Sequence, residues 1–174
     1  MAAEPSSSTA RVARVFGLEG DKWLRHSNPW SVWTRFTVLP LLVLSIWSRD
    51  WIGWFCLIPL ALSVVWLFTN PLFFSEPRST KNWASKGVLG ERLWSERDRS
   101  SLPQQFDSSV PNVAQSLQVV GLAALVYGLI DLDALVTITG TLIVQVAKLW
   151  YIDRMVLLFD DMKQREPEYA RWDF

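Results

Sequence analysis

Cysteine and histidine occur once each in this chain of 174 residues, as Cys56 and His26. A lone cysteine excludes a disulfide within the chain and leaves no second thiolate for a metal. Cys56 lies inside an apolar run and reads as buried filler. A lone histidine excludes a haem held by two histidines of one chain. Nothing in the spacing of His26 and loop carboxylates such as Glu76 and Glu91 is diagnostic of a metal. No cofactor and no metal are therefore expected. An excess of one charge is also missing: 17 basic and 17 acidic residues cancel. A nucleic-acid partner would need a basic footprint, and none is expected. The chain has no Walker loop, dinucleotide fingerprint, Ser-His-Asp order or paired-carboxylate signature, so no catalytic residue is assigned. Residues 1–10, MAAEPSSSTA, lack the apolar centre of a signal peptide and read as a disordered tail. The first apolar segment is expected to act as its own insertion signal.

Charge is scarce in two long blocks, 32–74 and 113–159. It concentrates in the first 30 residues, in 75–111 and at the C-terminal end. A soluble protein interleaves apolar and charged residues so that each element keeps a wet face, and here whole segments lack one. Tryptophan is abundant, with 11 residues. Its ring suits lipid and its N–H suits water, which enriches it at membrane interfaces. The expected class is all-α and integral to a membrane, with about four transmembrane helices in two antiparallel hairpins.

The expected spans are 30–47, 51–69, 113–130 and 134–159. Asn28 is placed to cap the first helix and Pro29 to occupy its first position, where a missing N–H costs nothing. The second span, WIGWFCLIPLALSVVWLFT, has no charge. Asn70-Pro71 repeats the Asn-Pro signal and is expected to redirect the chain. The turns at Ser48-Arg49-Asp50 and Asp131-Leu132-Asp133 are tight, and an aspartate of the second is expected to cap the fourth helix. That helix is about 39 Å long at 1.5 Å per residue and should protrude or tilt. Residues 11–25 form a basic amphipathic stretch that suits a headgroup layer or a packed, solvated helix. Within the polar loop 75–111, residues 80–94 suit a short cytoplasmic surface helix. Residues 11–160 read as one membrane domain and 161–174 as a charged tail. Gly121, Ala124 and Gly128 suit close packing between helices.

Lysine and arginine set the expected orientation. They populate the N-terminal region, the middle loop and the C-terminal tail, while the two turns carry only Arg49 between them. The positive-inside rule places both termini and the middle loop in the cytoplasm.

Charges inside spans cost roughly 2.5–3.5 kcal/mol each on insertion scales, so they pair or line a wet cavity. Arg35, Lys148, Asp153 and Arg154 fall in the cytoplasmic half by this topology, with Glu91 nearby. Two readings stand. In one, Arg35 pairs with Asp153 while Lys148 and Arg154 snorkel to phosphates. In the other, Arg35, Glu91, Lys148, Trp150, Tyr151, Asp153 and Arg154 line a ligand site, with Gln145 beside them.

His26-Ser27-Asn28-Pro29-Trp30-Ser31-Val32-Trp33-Thr34-Arg35 resembles the opening of a family of small prokaryotic membrane proteins defined only as a domain of unknown function. Asn70-Pro71-Leu72-Phe73-Phe74 with Pro77, the stretch from Trp83-Ala84 to Gly90-Glu91-Arg92-Leu93-Trp94, and Lys148-Leu149-Trp150-Tyr151-Ile152-Asp153-Arg154-Met155 are similar to its later segments. The resemblance covers 24–160 and implies an architecture without a mechanism. It marks His26, Asn28, Pro29, Trp30, Asn70 and Pro71 as structural motif residues.

The expected function is a binding or interaction module in the prokaryotic plasma membrane. Its partners would be the lipid bilayer and a second copy of the chain. Two alternatives are a small oligomeric transporter or channel, and a membrane enzyme acting on a lipid or phosphate-bearing substrate.

Overall fold

The computed structural model describes residues 22–96, 102–103, 106 and 110–174. The tail 1–10, most of the amphipathic stretch 11–25 and much of 97–109 lie outside the described residues. All regular structure among the described residues is helical. In chain order the helices are α1 (Lys22–His26), α2 (Pro29–Phe36), α3 (Val38–Trp47), α4 (Arg49–Ile52), α5 (Leu57–Thr69), α6 (Trp83–Glu96), α7 (Val110–Asp131), α8 (Ala134–Arg165) and α9 (Pro167–Ala170). Two 3-10 turns, Gly53–Cys56 and Asn70–Leu72, flank α5. The chain divides into two units interleaved in sequence. Unit 1 comprises 1–32, 71–109 and 152–174, and unit 2 comprises 33–70 and 110–151.

Unit 2 holds the apolar helices. The stretches Pro29–Leu72, Val110–Asp131 and Ala134–Arg165 are each long and apolar enough to cross a membrane. Among the described residues the structure thus carries three candidate spans where the sequence pattern suggested four. Large apolar side chains cover the outside of these helices: Leu44, Ile58, Leu62, Val65, Val119, Ile138 and Leu142 are all exposed. Water would not tolerate so wide an apolar surface, and lipid would. The polar side chains within it bond to their own helix. Ser45 donates to the Leu41 carbonyl at 2.6 Å, Ser63 to Pro59 at 2.8 Å and Thr69 to Val65 at 2.8 Å. That leaves none of these three hydroxyl hydrogens to be solvated.

Helix α3 packs on α5 and touches α7. Helices α7 and α8 approach through small residues. A methyl group on Gly128 would lie 2.5 Å from the Thr137 nitrogen, and one on Gly140 2.5 Å from the Leu125 nitrogen. Gly121 meets Ile143 in the same way. This is the close helix contact expected for the glycine stripe. The turn between α7 and α8 is closed at both ends. Leu132 takes a left-handed φ of 53° and the Asp133 N–H returns to the Gly128 carbonyl at 2.9 Å. That is the Schellman arrangement at a helix C-terminus. The Asp133 carboxylate then accepts the Val136 N–H at 3.0 Å and caps α8.

Two boundaries differ from expectation. The second span was placed at 51–69, but α5 begins at Leu57. Gly53 adopts φ 55°, which breaks the helix, and the chain re-enters through a 3-10 turn. The fourth helix continues past Phe159 to Arg165. Its last turns are tied by Asp161 to Arg165 at 2.9 Å and Asp160 to Lys163 at 2.7 Å.

Unit 1 is built around α6. Asn82 caps it by accepting the Ser85 N–H at 2.9 Å. The sequence pattern suggested a surface helix over 80–94. Instead Ala84, Ser85, Val88, Leu89, Leu93 and Trp94 are all buried. The reason is glycine. A methyl group on Gly90 would collide with the Met155 carbonyl, and one on Gly87 with the Ile152 side chain. Both glycines let α6 lie directly against the unit 1 part of α8. Helix α1 packs on the other side, where the Ser85 hydroxyl donates to the Ser27 carbonyl at 2.6 Å. The end of the chain also joins this core. The Thr80 N–H donates to the Phe174 carbonyl at 2.8 Å, and the Phe174 N–H returns to the Thr80 hydroxyl at 3.0 Å.

Candidate functional site

The residues singled out from the sequence fall in both units. Glu91, Asp153 and Arg154 belong to unit 1, and Arg35, Lys148, Trp150 and Tyr151 to unit 2. Lys148 and Tyr151 stand one turn apart on α8. The Lys148 ammonium lies 5.2 Å from the centre of the Tyr151 ring, which is buried. Trp150 is partly exposed. Glu91 is half-buried on α6.

In unit 1, Asp153 is the focus of a small constellation. Its Oδ2 accepts a charged hydrogen bond from Arg154 at 2.8 Å, and its Oδ1 accepts the Trp83 indole N–H at 3.4 Å. The Arg154 side chain is 35 % exposed and that of Asp153 47 %. The Arg154 Nε is buried and has no acceptor among the described residues. The pair therefore presents a partly exposed carboxylate and guanidinium with room for a further partner, above one buried donor. Capacity of this kind suits a polar or anionic group.

The motif residues have local roles. Asn28 accepts the Trp30 N–H at 3.0 Å, with Pro29 in the first position of α2. Its amide also donates to the Ser75 carbonyl at 2.9 Å. His26 is buried, edge-on to the buried Trp23 with ring centres 6.0 Å apart. Asn70 is fully buried in unit 2 and donates to the Thr34 hydroxyl at 2.8 Å. Pro71 sits within the single 3-10 turn that ends the apolar stretch. Gln145, suggested as a cavity lining, donates to the Phe36 carbonyl at 2.8 Å.

Sequence reasoning missed an ion network in unit 1. Asp160 accepts from Lys86 at 2.9 Å and from Lys163 at 2.7 Å, and Lys163 also reaches Asp173 at 2.7 Å. Arg92 lies over the Trp172 ring, 4.4 Å from its centre. Only the Asp160–Lys163 spacing of three residues was a readable signal. The other contacts join residues 10 to 80 positions apart. Each charge in this network is already matched, so it serves as a clamp on the residues after α8. Among the described residues no group of three or more metal-ligating side chains assembles.

No curated protein and no solved structure matches this chain. A family does, and its match spans residues 7–172, beyond both ends of the resemblance read from the motifs. With the contacts of Asn28, Asn70, Gly90 and Met155 all inside that span, the chain belongs to DUF6653, a family of unknown function.

Proposed function

We propose that this chain is a four-span membrane protein whose unit 1 is a cytoplasmic-side binding module for a polar or anionic ligand. The Asp153–Arg154–Trp83 constellation would be the contact point. The carrying observation is that the pair is partly exposed while the buried Arg154 Nε lacks an acceptor among the described residues. An exposed ion pair contributes only about 0–1 kcal/mol to stability. Folding alone is thus a weak reason for this arrangement, and ligand contact is a better one. Glu91, also in unit 1, is a further residue of the proposed site.

Three hydrogen bonds within unit 2 support the four-span reading. Arg49 reaches the Leu129 and Ile130 carbonyls, and Gln145 reaches Phe36. Phe36 precedes Arg49 by 13 residues and Gln145 follows Ala134 by 11. Two legs running back from neighbouring turns would meet at this depth. The charge distribution supports cytoplasmic termini, and the family resemblance supports a prokaryotic plasma membrane. Homo-oligomerisation is part of the proposal, since each chain offers wide apolar flanks.

The test is native mass spectrometry of the full chain extracted in a mild detergent, alongside Arg154→Ala. A non-protein mass on the parent that is lost from the variant, with unchanged melting temperature, is the expected result. A bare parent chain would overturn the binding reading. A reporter fused after Phe174 that is active only outside the cell would overturn the topology.

A further inference from the structure

The connection between α3 and α5 is too apolar and too exposed for a turn that projects into water. Trp51 is 71 %, Trp54 85 % and Phe55 72 % exposed, and Ile52 joins them. From Trp51 to Phe55 no polar side chain interrupts the run.

Helix lengths place this segment. Helix α5 has 13 residues, or about 20 Å at 1.5 Å per residue. That is short of a hydrocarbon core of about 30 Å. Helix α7 has 22 residues, or about 33 Å, and needs no extension. Yet the connection ahead of α5 reaches the end of α7, because the Arg49 guanidinium donates to the Leu129 and Ile130 carbonyls there. The segment 51–56 therefore fills the layer that α5 does not reach. That layer is where a membrane-length helix ends, at the boundary between acyl chains and headgroups. The exposed Ile130 and Leu135, at the neighbouring turn, continue the same apolar surface. Helix α5 extends it from Leu57 and Ile58, both exposed.

Building on the four-span reading, we propose that Trp51–Phe55 is an interfacial anchor that binds the lipid surface of the leaflet opposite the termini. Trp51 and Trp54 lie with their rings among the acyl-chain ends and headgroups, as tryptophan does in aromatic belts. Arg49 and Asp50 mark the polar edge of the anchor. The anchor makes up for the short α5 and holds the α3–α5 pair at a fixed depth beside α7. Continuity with the apolar flanks favours lipid over a protein occupant.

Spin labelling of the full chain in vesicles of phosphatidylcholine and phosphatidylglycerol tests this. Cys56→Ala removes the native thiol, and Trp54→Cys and Leu62→Cys are labelled in separate proteins. Leu62 is an exposed position in the middle of α5. At both sites collisions with dissolved oxygen should exceed those with a water-soluble nickel chelate. A label at 54 that meets nickel more than oxygen overturns the anchor, and so does one shielded from both, which would indicate a protein cover. If the label at 62 still favours oxygen, the spans stand and only the anchor fails. Nickel access at both sites would overturn the spans as well. Trp51→Cys repeats the measurement on the same segment.

Discussion

Gln145 on α8 donates its side-chain N–H to the main-chain oxygen of Phe36 at 2.8 Å. The reason lies four residues beyond Phe36, at Pro40. Proline has no N–H, so the Phe36 carbonyl loses its partner within the helix, and the ring crowds it as well. The helix is broken at Thr37, between α2 and α3. In lipid an orphaned carbonyl must find another donor, and a neighbouring helix supplies it. Gln145→Leu should destabilise the protein by about 1 kcal/mol, in the range measured for hydrogen bonds between membrane helices. In a Pro40→Ala background the loss should shrink, because the alanine N–H can serve Phe36 itself. Unfolding in mixed micelles as a double-mutant cycle measures the coupling, and equal losses in both backgrounds would refute it.

Arg49 closes the C-terminus of α7 with two hydrogen bonds, one of them 2.8 Å to Ile130. Arg49→Ala should cost about 1.5–3 kcal/mol, the range for hydrogen bonds from a charged donor. Lysine should recover part of the loss, as it keeps the charge but not the planar fork. The same unfolding titration reads both variants.

Leu132 holds a left-handed backbone, φ 53°, that costs a side-chain-bearing residue about 1–2 kcal/mol. Asparagine tolerates that conformation better. Leu132→Asn should therefore raise the unfolding midpoint, and a fall would show that the Leu132 side chain packs for more than the backbone loses.

Gly90 faces the Met155 main chain with no space for a methyl group. Backbone cannot rotate away as a side chain can. Gly90→Ala should destabilise unit 1 by about 1–3 kcal/mol, the usual cost of overpacking. Hydrogen exchange should show faster exchange in α6 and the end of α8, with α7 unchanged.

Thr80 is fully buried and exchanges hydrogen bonds with Trp172 and Phe174. Thr80→Val keeps the shape and removes the hydroxyl, leaving the Phe174 N–H without its acceptor. Trypsin should then cleave after Arg171 faster than in the parent, and equal rates would show that the ion network alone holds this segment.

Much of the local architecture was legible in the residues. Asn28-Pro29 starts a helix, Asp133 caps one, and Gly121 and Gly128 carry a close helix contact, because these roles depend on a few adjacent residues. Gly53 was also visible but its effect was not. A glycine inside an apolar run is consistent with a continuous helix, and only the fold selects the left-handed state that ends it. Gly87 and Gly90 were read as a helical stretch, while their real use, contact with the α8 backbone, depends on a partner more than 60 residues away.

The sequence by itself determined an all-helical chain with apolar stretches of membrane length, because uninterrupted hydrophobicity and helix caps are local properties. It also determined the family, through short motifs at fixed spacing. Tertiary structure alone decided which polar groups answer one another. Gln145 serves the carbonyl that Pro40 strands, and Arg49 serves the end of α7. Each pairing joins groups whose unmet hydrogen bonds are costly away from water, and only packing brings such groups within reach.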